Sequence, residues 1–131
     1  MGAWGAGAFE NDDAGDWVWE LEDDEDGSVI EAALSAVVDT PGDELVEAGD
    51  ASNAIAAAEI VATARDSATS TLPTEATEWL KRNAHLVTDD VRDLARRAVT
   101  RIGAASELRE LWEDAGDPAW AESVSALRAR L

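Results

Sequence analysis

The sequence predicts an all-α fold: an irregular bundle of five to seven helices around a central alanine-rich helix, in a single domain spanning residues 1–131. Three observations favour this class. Apolar residues recur at helical spacing along most of the chain, no segment shows the alternation of a strand, and all three prolines fall at apparent helix boundaries. Because 46% of the 131 residues are hydrophobic, the chain can bury one core.

The first helix is predicted over residues 12–24, with Asn11 as its N-cap and acidic residues complementing the positive end of the helix dipole. One face of this helix carries an apolar stripe with the spacing i, i+3, i+4, i+7, which consists of Ala14, Trp17, Val18 and Leu21. Trp19 falls on the opposite face. This segment should therefore bury one face against the rest of the bundle.

A second helix is predicted to begin at Ser28, which forms a capping box with Glu31, and to end before Pro41-Gly42. Its buried face should comprise Ile30, Leu34, Val37 and Val38. After Gly49, Asp50 is expected to cap a third helix over residues 51–65. This helix is apolar around most of its circumference and rich in alanine, so we expect it to lie at the centre.

The C-terminal half contains three further predicted helices. One starts around Leu72-Pro73-Thr74 and reaches about Ala84, and a fifth is capped by Thr88. Because the apolar pattern persists through Leu108, Leu111 and Trp112, the fifth helix is expected to continue past Gly103 or to kink there. Asp117-Pro118 opens the last helix, whose buried face should comprise Trp120, Val124 and Leu127.

The net charge of −19 is concentrated in the first half of the chain. Residues 1–64 contain 17 acidic residues and no Lys or Arg, whereas residues 65–131 contain 12 acidic and 10 basic residues. Phosphate recognition needs Lys and Arg, so direct nucleic-acid binding through the N-terminal half is excluded. This half could bind a basic protein partner, hold cations or mimic nucleic acid. Equally, it could be the acidic surface of a salt-adapted protein, since net charge speaks first to solubility.

Other compositional features narrow the location and the chemistry. The first twenty residues contain no Lys or Arg and already carry five acids, so we expect no secretory signal and no membrane span, and a cytoplasmic location. The absence of Cys excludes disulfides and thiolate chemistry. His85, the one histidine, is expected to lie at the C-terminal end of the fourth helix. The sequence identifies no cofactor, no catalytic residue and no metal site.

Two acidic clusters resemble cation sites but fit other roles better. One consists of Asn11, Asp12, Asp13 and Asp16, which helix capping explains. The run Glu22-x-Asp24-x-Asp26-Gly27 overlays the start of an EF-hand loop, yet Ala33 stands where the twelfth position needs Glu. We interpret this run as a solvated acidic turn.

The leader GAWGAG is not a phosphate-binding loop, because it lacks the terminal Lys-Ser/Thr and a preceding strand. We interpret residues 2–9 as an arm that packs on the alanine-rich centre through Trp4 and Phe9, with a ligand-lining loop as the alternative.

Glu59 interrupts the apolar run of the third helix. On a helical projection Ser52, Glu59, Thr63 and Asp66 share one stripe. This stripe is either the solvent-facing edge of the helix or a line along which Glu59 is held inside by backbone amides of the leader or an indole N–H.

Several motifs together resemble one known family. They are the leader MGAWG-x-G-x-F-x-ND, the central AAAEIVA, the Leu-Pro with a following Trp, and SEL-x-x-LW near the C-terminus. The chain resembles the small bacterial and archaeal family grouped as domain of unknown function four-two-five-nine. The resemblance implies no activity, cofactor or partner. It directs attention to a shared contact between the leader, Glu59 and the segment 106–108, with the candidate residues Trp4, Gly5, Phe9, Asn11, Asp12, Glu59, Ser106 and Glu107.

Taken together, these features favour an acidic, helical, non-catalytic binding or structural module. The alternative is a small-molecule or divalent-cation-dependent enzyme that uses a carboxylate-lined cleft.

Overall fold

The computed structural model describes residues 7–66 and 72–131. The described residues form an all-α bundle, which confirms the predicted class. Its helices are α1 Asp12–Trp17, α2 Ser28–Val38, α3 Ala48–Asp66, α4 Thr74–Asn83, α5 Asp89–Ala104, α6 Glu107–Ala115 and α7 Ala119–Arg130. Two 3₁₀ helices, Val18–Asp23 and Ala84–Leu86, extend α1 and α4. The described ranges contain no sheet, and Val46 and Ser106 form an isolated parallel bridge.

The alanine-rich helix α3 lies at the centre, as predicted. It contacts α1, α2, α4, α5, α6 and α7. The alanines at 54, 56, 57, 58 and 62 are fully buried, together with Ile60 and Val61. Small side chains let neighbouring backbones approach closely from several directions, so one helix can serve as the core for all the others.

Side-chain caps fix the start of three helices. Asn11 Oδ1 accepts the Ala14 N–H at 2.8 Å, and Thr88 Oγ1 accepts the Val91 N–H at 3.3 Å, as predicted for both. Ser106 Oγ accepts the Arg109 N–H at 3.0 Å and begins α6. The expectation that the fifth helix runs on or kinks at Gly103 is therefore wrong, because a new helix starts after the extended Ala105.

Two predicted caps are also wrong. Ser28 lies inside α2, and the N-cap is Gly27, whose φ of 80° is in the left-handed region that glycine tolerates. The Ser28 N–H is accepted by Asp26 instead of being part of a capping box. Asp50 lies in the first turn of α3, two residues after its start, and the Ala48 N–H donates to Glu107 Oε1 at 3.2 Å.

Asp24 fastens the segment between α1 and α2 to α4. Its buried carboxylate accepts hydrogen bonds from the Gly27 and Val29 N–H groups and from the Ser28 hydroxyl. The Trp79 indole N–H donates to the same carboxylate at 2.8 Å. Only an anion offers enough acceptor positions for these four donors, so the EF-hand-like run contains a buried structural carboxylate rather than a purely solvated turn.

Arginines tie loops to distant helices by donating to main-chain oxygens. The Arg101 guanidinium donates to the oxygens of Thr40, Pro41 and Glu44 at 2.7 to 2.9 Å, which clamps the loop after α2 onto α5. A second group donates to the Leu131 main-chain oxygen and consists of Arg65, Arg92 and Arg96. No helix in the described ranges combines the length and the apolar character needed to cross a membrane.

Candidate functional site

The end of the leader forms a turn that faces the bundle. The Glu10 N–H donates to the Gly7 oxygen, and the Gly7 N–H donates to Glu10 Oε1 at 3.0 Å. Phe9 is half-buried against the core. Asn11 caps α1, while Asp12 is exposed in its first turn. Trp4 and Gly5 lie outside the described residues, so the role of the packing arm there stays a prediction.

Glu59 is held by an arginine from the last helix. Its Oε1 lies 2.5 Å from Arg130 Nη1, and its side chain is only 13% exposed. Arg130 Nε also donates to Asp66 Oδ2 at 2.7 Å, and Nη2 lies 3.4 Å from Thr63 Oγ1. The stripe on α3 is thus not a solvent edge, because Ser52 and Thr63 are buried and Glu59, Thr63 and Asp66 contact Arg130 of α7. Leader residues 2–6 lie outside the described residues, so a contact of their amides with Glu59 stays a prediction.

The carboxylates raise the pKa of Arg130 above its ordinary value. The hydrogen bond that Arg130 donates to Asp66 is the largest cause, partial burial opposes it, and Glu59 adds a further acceptor and Coulomb attraction. Arg130 therefore stays charged at any pH at which the bundle is folded.

The leader and Glu59 face each other across a cavity of about 440 Å³. The leader contributes Gly7, Ala8, Phe9 and Glu10, and the helices contribute Glu59, Arg130 and small residues of α7. A narrower cavity of about 40 Å³ separates Gly7 and Ala8 from Leu108 and Trp112 of α6. The end of the leader is thus close to Glu59 and to Leu108, which belongs to the segment 106–108.

Ser106 and Glu107 make a different contact. The Glu107 N–H donates to the Val46 oxygen at 2.8 Å, and Glu107 Oε1 accepts the N–H of Ala48 at the start of α3. Because Ala48 and Glu59 are eleven residues apart, about 16 Å along a helix, the Glu107 and Glu59 carboxylates act about three turns apart on α3. That these residues share one function stays a prediction.

The acidic N-terminal half carries a shallow groove of about 410 Å³ between α1 with its 3₁₀ extension, α2 and the start of α3. Small residues of α2 form one wall, and the charged residues of the lining are Glu20 and Asp50. Trp19, next to Glu20, is 59% exposed. The lining also contains Asn53, whose Oδ1 is shielded from solvent and accepts no hydrogen bond from the described residues.

The two acidic clusters that resemble cation sites in sequence do not converge within the described residues. Within residues 7–66 and 72–131 no group of three or more His, Asp or Glu side chains comes together in a metal-holding arrangement. Asn11, Asp24 and Asp26 accept backbone N–H groups, and His85 is exposed in the 3₁₀ turn after α4.

A family model described as Domain of unknown function (DUF4259) matches residues 2–123. The chain belongs to this family. No curated protein and no solved structure matches it. Membership in DUF4259 confirms the predicted resemblance and brings no activity, ligand or partner with it.

Sequence reasoning about this DUF4259 chain missed the partners of the Glu59 and Asp24 carboxylates. Arg130 is 71 residues from Glu59, and Trp79 is 55 residues from Asp24, so no local pattern pairs them. Two signals in the sequence could have indicated these partners. Arg130 lies one helical turn after the buried Leu127 on α7, and Trp79 lies in α4, where most of the other residues are polar.

Proposed function

We propose that this DUF4259 protein is a cytoplasmic, non-catalytic binding module, acting as one domain, whose acidic N-terminal half binds a basic segment of a protein partner. The observation that carries the proposal is the charge of the groove between α1, α2 and α3: its lining has Glu20 and Asp50 and no base, and residues 1–64 contain no Lys or Arg.

The shape and polarity of the groove support a peptide rather than a metal ion. Ala32, Ala33 and Ala36 leave room for a partner backbone or an aliphatic stem, and lysine and arginine stems cover apolar surface while their charged heads reach carboxylates.

The proposal is tested with a fluorescently labelled helical peptide of alanine and lysine, whose anisotropy is followed as NaCl increases from about 0.05 M to about 0.5 M. We expect binding at low salt that weakens steeply as the Debye length shortens. The doubly substituted variant Glu20→Gln/Asp50→Asn should bind several-fold more weakly than the wild type.

The matched control is Asp114→Asn/Glu122→Gln, which removes the same charge from exposed positions in α6 and α7. It should retain nearly all of the peptide affinity. Equal weakening in both variants would mean that net charge alone attracts the peptide, and the groove would be rejected.

The alternative enzyme is tested by melting the protein in Mg²⁺ or Ca²⁺ and in NaCl of matched ionic strength. A melting temperature raised only by the divalent ion would favour the alternative. Equal melting temperatures would support the binding module.

A further inference from the structure

A concave surface separate from the acidic groove lies between α5, α6, α7 and the turn that joins α6 to α7. It encloses about 790 Å³, within the range of small-molecule sites. Its apolar lining includes Val99, Trp112, Trp120 and Val124. Both tryptophans are more than nine-tenths buried, so their positions are fixed before any ligand arrives.

Gly103 keeps this groove open at α5. A Cβ built on Gly103 would lie 3.5 Å from Val124 Cγ1, at ordinary contact distance, so a larger side chain here would fill the space. The turn at the other end of the groove contains Gly116, whose backbone is left-handed, and Pro118.

Three of the four charged side chains that line the groove have an ionic or main-chain partner. Arg109 Nε lies 2.7 Å from Glu113 Oε1, and Arg109 also donates to the Ala104 oxygen. Asp117 Oδ1 accepts the Ala119 N–H at 2.9 Å, just before α7.

Arg128 differs from these. Its Nε donates to Thr100 Oγ1 at 2.9 Å, and within the described residues it has no carboxylate partner and no acceptor for its two Nη groups. Other arginines without a carboxylate partner, Arg65, Arg82 and Arg101, donate to main-chain oxygens through their Nη groups and so fasten the fold. Arg128 is exposed where it lines the apolar groove, so its Nη groups are accessible to a ligand.

We propose that this groove binds a small amphipathic organic anion, with its apolar body against Trp112 and Trp120 and its carboxylate on Arg128. A guanidinium whose Nε is already held by Thr100 presents its remaining N–H groups in a fixed direction, which suits a carboxylate. The site is built from elements other than the acidic groove and goes beyond the proposed function.

The test uses 8-anilinonaphthalene-1-sulfonate as a fluorescent occupant and compares its displacement by octanoate and by 1-octanol. The two competitors have the same chain length and differ in head-group charge. In the wild type, octanoate should displace the dye at about tenfold lower concentration than octanol, because a charge-assisted hydrogen bond contributes more than a neutral one.

Arg128→Ala should remove the difference between octanoate and octanol, and it should also weaken binding of the dye, whose sulfonate is itself an anion. Dye affinity is therefore measured for each variant, and the octanoate and octanol affinities are compared after correction for it. Arg97→Ala is the control, because Arg97 is an exposed arginine of α5 that pairs with Asp93 and does not line the groove. Ala121→Phe, which fills the groove from an exposed position on α7, should abolish dye binding. Circular dichroism verifies that each variant is folded.

Three outcomes would overturn the inference: equal displacement by octanoate and octanol in the wild type, a preference for octanoate that persists in Arg128→Ala, or full dye binding by Ala121→Phe. A peptide-binding failure at the acidic groove would leave these measurements unaffected.

Discussion

The Asp24 carboxylate joins two parts of the chain that are far apart in sequence, the start of α2 and the indole of Trp79 in α4. We expect Asp24→Ala to lower the free energy of unfolding by about 3 kcal/mol, because it leaves buried N–H donors without an acceptor. Urea unfolding measures the change. Asp23→Ala, at an exposed neighbouring position, is the control and should stay within about 0.5 kcal/mol of the wild type.

Asp26, two residues after Asp24, should make the free energy of unfolding depend on pH in the acidic range. The hydrogen bond from the Ser28 N–H lowers the pKa of Asp26 below its ordinary value of 3.8. Because the folded pKa is below the unfolded one, the carboxylate stabilises the fold above pH 3.8, and this contribution is lost as the pH falls through the folded pKa.

The variant Asp26→Asn cannot titrate at this position. Its unfolding free energy, measured by urea titration at a series of pH values below about 5, should therefore fall less steeply with acid than that of the wild type. Identical slopes would contradict this assignment.

At the scale of elements, the Glu59–Arg130 pair attaches α7 to the central helix. Glu59→Gln should lower the unfolding free energy by about 1 kcal/mol, and a double-mutant cycle with Arg130→Met should reveal coupling between the two side chains. Glu122→Gln, on the exposed side of α7, is the control. If the two substitutions change the unfolding free energy additively, the contact between Glu59 and Arg130 does not contribute to stability.

Two glycines give opposite predictions for the same substitution. Gly15 lies inside α1 and a Cβ there would meet no atom within 4 Å, so Gly15→Ala should raise the unfolding free energy by about 0.5 to 1 kcal/mol. Gly116 ends α6 with a φ of 72°, so Gly116→Ala should lower it by about 1 kcal/mol. Thermal or urea unfolding of both variants, side by side, measures the difference in sign.

Local patterns predicted the helices well and their joints less well. The caps Asn11 and Thr88 and the buried faces of α1 and α7 could be predicted, because capping and helical periodicity act within one or two turns. The break between α5 and α6 could not, since the apolar spacing of the two helices happens to stay in phase across Ala105. The true signal there was Ser106, a good N-cap residue.

The candidate sites were harder to predict for a different reason. The pairs Glu59–Arg130 and Glu107–Ala48 join residues at least 59 positions apart, so only the packed bundle brings them together. Likewise, nothing near Arg128 in the sequence indicates that its Nη groups have no acceptor among residues 7–66 and 72–131.

At the scale of the whole molecule, the charge of −19 opposes compact packing by self-repulsion. The unfolding temperature should therefore rise as NaCl increases from about 0.05 M to about 1 M, where the Debye length is about 3 Å. Differential scanning calorimetry measures this rise. The exposed ion pairs weaken under the same conditions, but each contributes little, so a falling unfolding temperature would contradict the dominance of self-repulsion.

The Arg101 clamp has a consequence for how this protein meets a protease. The loop after α2 contains Pro41-Gly42 and is exposed, the features that usually mark a site of limited cleavage. Three of its main-chain oxygens are nevertheless bound by one guanidinium, which prevents the loop from extending into an active-site cleft. The backbone between α2 and α3 should therefore resist proteolytic cleavage until α5 unfolds or detaches from the bundle.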